Sequence, residues 1–195
     1  MFPIGDLEKP QVRELAQSLG IRVYAKKDSQ EICFVEDGKL KEFLNELTGN
    51  HASCEGEILT TAGEVIGKHR GISFYTIGQR KGLGISYPTP LYVVNINSKK
   101  NQLIVGSNEE LFSSYLIANN INLFIHEKIE NLEGLKLSAK TRSRDKFHPC
   151  NIRILEDDKI KIDFTEEKVR AITPGQGVVL YNINKEVVAS GFIVK

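Results

Sequence analysis

The second half of the chain alternates apolar and polar residues in short runs that are separated by turn residues. The clearest run is Lys159–Phe164, in which Ile160, Ile162 and Phe164 alternate with charged residues. A period of two places every other side chain on the same face of a strand. Six such runs within about 80 residues are typical of a small, closed or nearly closed antiparallel β-barrel. The six predicted strands are Leu135–Arg142, Ile152–Leu155, Lys159–Phe164, Val178–Tyr181, Val187–Ala189 and Phe192–Val194.

The first half of the chain combines two predicted helices with short strands. Apolar residues recur at helical spacing in Pro10–Leu19 and in Leu40–Leu47, and a glycine follows each segment. Ile21–Tyr24 alternates like a strand, and a helix followed by a strand is typical of α/β proteins. From about Gly56 onward, four strands are expected to form two hairpins. These strands are Glu57–Thr61, Val65–His69, Leu91–Ile96 and Gln102–Val105.

These patterns predict a mainly β protein with some α structure, organised in three parts. The parts are a short α/β remnant in residues 1–47, a central β-rich domain in residues 48–112 and a six-stranded antiparallel β-barrel in residues 113–195. About 47 residues are too few to close a hydrophobic core without further support. We therefore expect the first part to be the end of a larger domain.

Charge and hydropathy narrow the possible partners. The 26 Lys and Arg residues nearly balance the 25 Asp and Glu residues, and the net charge of +1 provides no overall field that would attract nucleic acid. An anion-binding site must therefore be a local patch. The sequence has no apolar run of about 18 residues and no basic or apolar leader at its start, which predicts a cytoplasmic protein without a membrane partner.

Two segments concentrate basic residues. Residues 65–86 contain four Lys or Arg and no Asp or Glu, and the glycines at 78, 82 and 84 would let a ligand approach the backbone closely. Gln79, Arg80 and Lys81 offer donors to phosphates or sugars there, although an ordinary solvated turn would look the same. Residues 136–153 contain six Lys or Arg and one acid. If that segment is a strand, then Lys140, Arg142 and Arg144 lie on one side of it and form a surface that suits phosphate groups.

The three cysteines, Cys33, Cys54 and Cys150, are widely spaced and include no Cys-x-x-Cys pair. This spacing disfavours a disulfide scaffold and a ribbon-type zinc site. Cys33 lies in the apolar run 32–35 directly after a polar loop, where it is either a packed core residue or a reactive thiol activated by a nearby cation. The pairs His51/Cys54 and His148/Cys150 lack the usual zinc-finger spacing, so we expect no metal.

Several segments taken together resemble the tRNA-specific 2-thiouridylases, which are tRNA-uridine 2-sulfurtransferases, and the resemblance runs along the whole chain in order. They are Phe2-Pro3-Ile4-Gly5, residues 27–34 with the sequence KDSQEICF, residues 75–84 with the sequence YTIGQRKGLG, and Thr173-Pro174-Gly175-Gln176. The Ser-Gly-Gly-x-Asp-Ser nucleotide loop of the family is absent from this sequence. The resemblance therefore implies a C-terminal portion: the end of a pyrophosphatase-loop domain in residues 1–47, a central domain and a barrel.

The resemblance also implies a chemistry. It implies that the parent enzyme uses ATP with Mg to adenylate the wobble uridine of tRNAs for Lys, Glu and Gln. Cys33 would carry sulfur as a persulfide, supplied by a cysteine desulfurase or another sulfur-donor protein, and would then form a disulfide bond with a cysteine outside this chain. A thiol is required, because only sulfur can surrender a sulfane sulfur by exchange. Arg142, Ser143 and Gln176 match positions where the family contacts tRNA.

The sequence departs from the family pattern at two places. Ser143 stands where Tyr is more common, and Gln30-Glu31 stands where many relatives have Thr-Gly. The alternative hypothesis is a stand-alone tRNA-binding β-barrel module without catalytic activity, in which Cys33 is merely packed. The first hypothesis predicts that Cys33→Ser abolishes thiolation in the complete enzyme. The alternative predicts tRNA binding without the ATP-binding domain, which weakens steeply with salt.

Overall fold

The computed structural model describes residues 3–26, 35, 38–49, 53–156 and 158–195. Contacts between residues divide the chain into two compact units, Met1–Phe43 and Leu44–Lys195. The helices are α1 (Lys9–Ser18) and α2 (Leu40–Thr48). Within these ranges, no helix is long and apolar enough to cross a membrane.

The predicted helix at Pro10–Leu19 forms as α1 in the first unit. The Glu8 N–H donates to Gln11 Oε1 at 2.8 Å, which satisfies one of the free donors at the start of the helix. The helix ends before Gly20, which has a φ of 70°. No residue of α1 is buried, and Leu19 is 68% exposed. The apolar side of the helix therefore lacks a covering element among the described residues.

The strand predicted at Ile21–Tyr24 is wrong. The N–H of Tyr24 donates to the carbonyl of Ile21 at 3.2 Å, and the N–H of Lys26 donates to the carbonyl of Val23 at 3.0 Å. These bonds span three residues and define consecutive turns. Alternation stabilises a strand only when a neighbouring strand pairs with it, and none of the described strands pairs with this segment.

Among its described residues, the second unit contains twelve strands and three short 3₁₀ helices. The strands are β1 (Gly56–Thr60), β2 (Val65–His69), β3 (Tyr92–Asn97), β4 (Gln102–Gly106), β5 (Phe112–Ser113), β6 (Tyr115–Leu123), β7 (Leu137–Lys140), β8 (His148–Ile154), β9 (Ile160–Phe164), β10 (Val169–Arg170), β11 (Gly177–Tyr181) and β12 (Val187–Ile193). The 3₁₀ helices are Ile72–Phe74, Glu109–Leu111 and Ile129–Leu132.

The first four strands form one sheet in the order β2-β1-β4-β3. The two predicted hairpins are confirmed, because β1 pairs with β2 and β3 pairs with β4, both antiparallel. Parallel pairing of β1 with β4 joins the hairpins. Ile58, Val93 and Leu103 are fully buried between this sheet and the segment that connects β2 to β3, which contributes Tyr75 and Leu83 to the same core.

The predicted six-stranded antiparallel barrel is confirmed. It closes in the order β11-β12-β6-β9-β8-β7, with β7 paired to β11. Alternate residues of β9 point inward, so that Ile160, Ile162 and Phe164 lie in the core. The mainly β fold with some α structure therefore agrees with the alternation of the sequence.

The membership of the barrel differs from the prediction in two strands. The predicted runs Val187–Ala189 and Phe192–Val194 belong to the single strand β12, whose pairing with β6 shifts between Ser190 and Phe192. The sixth strand of the barrel is instead β6. The alternating pattern does not predict this strand, because the pair Asn119-Asn120 is typical of a turn. Asn120 has a φ of 49° and provides the extra residue at this shift, which makes it a bulge inside a strand.

Candidate nucleic-acid interface

Ala171, which directly follows β10, is the point where several candidate residues meet. Its carbonyl accepts hydrogen bonds from Arg142 Nη2 at 2.6 Å and from Thr173 Oγ1 at 3.0 Å. Its N–H donates to the carbonyl of Leu111 at 2.8 Å, and its φ is 53°. One backbone carbonyl therefore joins the turn after β7 to the loop that precedes β11.

Gly78, in the glycine-rich basic segment, packs against the same point. A Cβ atom at Gly78 would lie 3.1 Å from the Ala171 Cβ and 3.6 Å from Arg170 Nη1. The φ of Gly78 is 88°, so a side chain there would also strain the backbone. Two segments that are far apart in the sequence, the basic loop and the turn that contains Arg142, thus meet beside Arg170 and Ala171, next to the loop 173–176.

The side chain of Gln79 is engaged within its own loop. Its Oε1 accepts from the Thr76 N–H at 3.1 Å, and its Nε2 donates to the Lys81 carbonyl at 2.9 Å. These two bonds close the loop and leave the Arg80 and Lys81 side chains exposed. Gln79 therefore holds the loop in shape, and its predicted contact with a ligand stays a prediction.

Gln176 and Ser143 are both exposed. The backbone around Gln176 is tied to the end of β12, because the Ile193 N–H donates to the Gln176 carbonyl at 2.8 Å and the Gly175 N–H donates to the Ile193 carbonyl at 2.7 Å. The Gln176 side chain is thus presented from a supported loop. Ser143 lies in the turn between β7 and β8, next to Arg142.

The prediction that Lys140, Arg142 and Arg144 share one side of a strand is wrong. Strand β7 ends at Lys140, and the Asp145 N–H donates to the Arg142 carbonyl at 3.1 Å, which closes a turn. Asp145 Oδ2 accepts from Thr141 Oγ1 at 2.9 Å and fixes this turn from within. A carboxylate that bonds to the local backbone favours a turn over an extended strand.

A cavity of about 430 Å³ opens beside this turn. Its lining includes five cationic side chains and two carboxylates. The cations are Arg142, Arg144, Lys146, Lys168 and Arg170, and the carboxylates are Asp145 and Glu167. This excess of cations suits an anionic ligand such as a phosphodiester, and the guanidinium groups bind phosphate oxygens through two N–H groups at once.

No sequence pattern predicts that Lys168 and Arg170 line this cavity. Both follow Glu166 and Glu167 in the chain, so that the local charges cancel and no basic run appears. In the structure, Arg170 Nε donates to Asn108 Oδ1 at 3.2 Å, and the guanidinium carbon lies 5.6 Å from the centre of the Tyr92 ring. These contacts hold the guanidinium at the edge of the cavity.

His148 lies buried at the bottom of the cavity between two carboxylates. Its Nε2 is 3.0 Å from Asp145 Oδ1, and its Nδ1 is 3.3 Å from Glu167 Oε1 without the geometry of a hydrogen bond. Lys146 Nζ forms an ion pair with the same Glu167 oxygen. Burial opposes the charged form of Asp145, yet the hydrogen bonds from His148 and Thr141 outweigh it and lower the pKa of that carboxyl.

Replacing Asp145 by asparagine is expected to destabilise the protein at neutral pH more than at acidic pH. The folded-state pKa of Asp145 lies below its ordinary value of 3.8, so its contribution is present above about pH 4 and is lost as the pH falls through the lower, folded-state pKa. Urea unfolding of both proteins between pH 7 and pH 3 measures this difference. An equal gap in unfolding free energy at both ends of the range would contradict the assignment.

Cys33 and its neighbours Gln30 and Glu31 lie outside the described residues, and so does His51. Cys150 points into the barrel core, and burial raises the pKa of its thiol to about 12. Cys54 is exposed. Within the described ranges, no group of three or more His, Cys, Asp or Glu side chains could hold a metal ion.

Cys150 is expected to resist alkylation in the folded protein. With a thiol pKa of about 12, only about one molecule in ten thousand carries the thiolate at pH 8, and the thiolate is the reactive form. Peptide mass spectrometry after brief iodoacetamide treatment should show modification of Cys54 and none of Cys150. Labelling in denaturant provides the control, and rapid labelling of native Cys150 would contradict the buried position.

Three protein-family descriptions match consecutive parts of the chain. The tRNA methyl transferase HUP domain matches residues 1–37, and the tRNA methyl transferase PRC-barrel domain matches residues 41–107. The aminomethyltransferase beta-barrel domain matches residues 113–193. The last two matches coincide with the four-stranded sheet and with the closed barrel.

The curated proteins that are similar to this chain include several tRNA-specific 2-thiouridylases. The tRNA-specific 2-thiouridylase MnmA 1 of Fusobacterium nucleatum subsp. nucleatum is 56% identical over 195 residues, which are 100% of this chain and 54% of the relative. The tRNA-specific 2-thiouridylase MnmA of Clostridioides difficile is 43% identical over all of this chain and 52% of the relative. The chain spans about half the length of the curated relatives it matches. On this full-length similarity, the chain belongs to the family of the tRNA-specific 2-thiouridylases.

Proposed function

We propose that this chain is the RNA-holding and sulfur-carrying part of an enzyme that makes 2-thiouridine at the wobble position of tRNA. The observation that carries the proposal is the approach of Gly78 to the Ala171 and Arg170 side chains, together with the hydrogen bond from Arg142 to the Ala171 carbonyl. The cavity that Arg142 and Arg170 line has an excess of positive charge, and the side chains of Arg80, Lys81 and Gln176 are exposed. Such a surface binds a phosphodiester backbone.

The proposed chemistry divides between this chain and the rest of the enzyme. ATP, bound with Mg outside this chain, supplies the adenylation that turns the uridine C2 oxygen into a leaving group. The terminal sulfur of a Cys33 persulfide bonds to C2 as the adenylate leaves. A second cysteine outside this chain then attacks the Cys33 sulfur and breaks the S–S bond, which leaves 2-thiouridine and a protein disulfide. A thiol reductant restores both cysteines.

The proposed partners are those that the family resemblance implies. The RNA substrates are the tRNAs for Lys, Glu and Gln, and a cysteine desulfurase or another sulfur-donor protein loads Cys33. The uridine must leave the anticodon stack to expose C2, so the protein has to hold the backbone while the base moves. Each of the three parts expected from the sequence has a proposed place in the enzyme. Residues 1–47 are the end of the nucleotide-binding domain, residues 48–112 are the central domain, and residues 113–195 are the barrel.

The experiment that tests this proposal is tRNA binding by single variants. Arg142→Ala and Lys81→Ala are each expected to weaken binding of unmodified tRNA and to reduce the slope of log Kobs against log salt by about 0.9 for each phosphate that the variant no longer neutralises. Gln176→Ala is expected to weaken binding without changing that slope, because its side chain is neutral. Fluorescence anisotropy at several salt concentrations measures both quantities.

Lys128→Ala provides the control, because Lys128 is exposed and lies outside the cavity and the basic loop. It is expected to bind tRNA like the original chain. If tRNA binding were negligible at low salt, or if Arg142→Ala and Lys81→Ala left it unchanged, the proposed RNA surface would be wrong. Circular dichroism of each variant distinguishes weaker RNA binding by a folded protein from unfolding.

A further inference from the structure

Phe147 lies on the outer side of the barrel, and the ammonium groups of two lysines lie near its ring. Lys140 Nζ is 5.0 Å and Lys185 Nζ is 5.7 Å from the centre of the Phe147 ring. Both distances are within the range of cation–π attraction. The ring is held by an edge contact with Tyr181, at 5.1 Å between centres and 87° between planes, and Phe147 remains 39% exposed.

The surrounding strands and turns fix the backbone positions of these three residues. Lys140 ends β7, whose preceding residue Ala139 pairs with His148, so that Lys140 and Phe147 stand next to each other where β7 and β8 separate. Lys185 occupies the turn between β11 and β12, with a φ of 63°. In that turn the Lys185 N–H donates to the Asn182 carbonyl at 3.0 Å.

The two lysines beside Phe147 differ from other lysines of the barrel in their ion pairing. Neither Lys140 nor Lys185 forms an ion pair within the described ranges, and the nearby Glu186 accepts a hydrogen bond from Asn182 Nδ2 at 2.7 Å. Elsewhere on the barrel, Lys161 also lies over a ring, that of Tyr115, but its ammonium is 2.7 Å from Asp163 Oδ1. Two ammonium groups beside one exposed ring leave room for an anion.

We propose that Lys140, Phe147 and Lys185 form a second RNA contact that takes one unpaired nucleotide. The base stacks on the Phe147 ring, and the ammonium groups turn from the ring to the flanking phosphates, since lysine side chains are flexible. Lys140 and Phe147 flank the turn 141–146. Arg142 and Arg144 of that turn line the cationic cavity. A linear polyanion can therefore continue from one site to the other. The identity of this RNA as tRNA depends on the function proposed above.

The test compares three variants with a matched control. Phe147→Leu keeps an apolar contact with Tyr181 and removes the aromatic face, whereas Lys140→Gln and Lys185→Gln remove one charge each. Lys128→Gln is the control for an exposed barrel lysine elsewhere. Each protein is titrated with a labelled single-stranded oligouridylate of about 12 nucleotides, with a blunt RNA duplex and with unmodified tRNA, at several salt concentrations.

Phe147→Leu is expected to weaken oligouridylate binding about 5- to 100-fold and to leave duplex binding unchanged, because only an unpaired base has a free face. Lys140→Gln and Lys185→Gln are each expected to lower the salt slope for oligouridylate by about 0.7 for a single strand. Lys128→Gln should match the original chain. Unchanged oligouridylate binding in all three variants, or equal weakening by the control, would overturn this site.

The remaining outcomes separate this site from the proposed function. Normal tRNA binding that depends on Arg142 but not on Phe147 would overturn the second contact alone. Oligouridylate binding that depends on Phe147, without any tRNA binding, would overturn the proposed function alone. If the original chain binds phosphatidylserine vesicles through Lys140 and Lys185 but binds no oligouridylate, the partner is a membrane surface and the RNA contact is wrong.

Discussion

Replacing Cys33 by serine is expected to abolish 2-thiouridine formation. A serine hydroxyl cannot carry a sulfane sulfur or release it by disulfide exchange, so the loss should be complete within detection and should not be rescued by more enzyme. This chain spans about half the length of its curated relatives, and the assay uses the full length of such a relative. We would therefore place the chain in the Fusobacterium nucleatum relative, whose matching segment is 56% identical, and measure 2-thiouridine in tRNA by mass spectrometry.

Cys54→Ser in the same chimera is the matched control, because Cys54 is an exposed thiol of the same chain. It should retain full thiolation. Persulfide loading by a cysteine desulfurase, located by peptide mass spectrometry, should appear on Cys33 and disappear in Cys33→Ser. Full activity of Cys33→Ser would exclude the persulfide role and favour a chain that only binds RNA.

Replacing Gly56 by alanine is expected to destabilise the four-stranded sheet by about 3 kcal/mol or more. The added Cβ would lie 2.0 Å from the Asn101 carbonyl oxygen and 2.6 Å from His69 Nε2. The first of these atoms belongs to the backbone, so it cannot move aside as the end of a flexible side chain could. The clash would push β1 away from the turn between β3 and β4.

The same clash would break a buried hydrogen-bond network. His69 Nδ1 accepts from the Gly71 N–H at 3.0 Å, so Nε2 carries the proton that it shares with the Asn101 carbonyl at 3.0 Å. Asn101 Nδ2 also donates to the Glu55 carbonyl at 2.9 Å. Because His69 is buried, a donor that loses its partner there costs about 1 to 3 kcal/mol. The basic loop rests on this sheet, so tRNA binding should weaken as well.

Gly177→Ala provides the comparison for this prediction. Gly177 also lies in a strand, and a Cβ there would meet only the Gly191 carbonyl oxygen, at 3.9 Å. Its unfolding free energy should therefore stay within about 1 kcal/mol of the original chain. Urea unfolding followed by circular dichroism gives both values. Equal stability of the two variants would mean that the sheet adjusts at Gly56 without strain.

Alternation was sufficient to predict most of the barrel. In β9 every second residue is apolar, and these residues are buried in the structure. Alternation failed where the strand itself is irregular. Strand β6 contains a bulge at Asn120, and the sequence at this bulge is typical of a turn. The apolar pattern of β12 breaks near Gly191, so the pattern predicts two short strands instead of one. A Cβ at Gly191 would meet Ile121 Cδ1 at 2.6 Å. A bulge depends on the partner strand, so one strand's sequence does not reveal it.

The candidate site was predictable by residue type and not by arrangement. The basic loop, Arg142 and Gln176 stand out in the sequence because of their composition and their family motifs. The approach of Gly78 and of Arg142 to Ala171 does not, because these contacts join segments about 30 to 90 residues apart in the chain. Lys168, Arg170 and Phe147 carried no sequence signal, since neighbouring acids cancel the first two charges and a single Phe normally indicates a core residue.

From consecutive residues alone, the sequence therefore predicts both helices, the four strands of the sheet, five of the six barrel strands and the family, because local periodicity and motifs are properties of neighbouring residues. It did not determine that Ile21–Tyr24 forms turns, since a strand exists only with a partner. Contacts between distant segments establish which cations line the cavity, which thiol is buried and where the Arg142 side chain meets the loop that contains Thr173. The physical reason is that charge, burial and hydrogen bonding are set by neighbours in space, and in this chain those neighbours come from distant strands and turns.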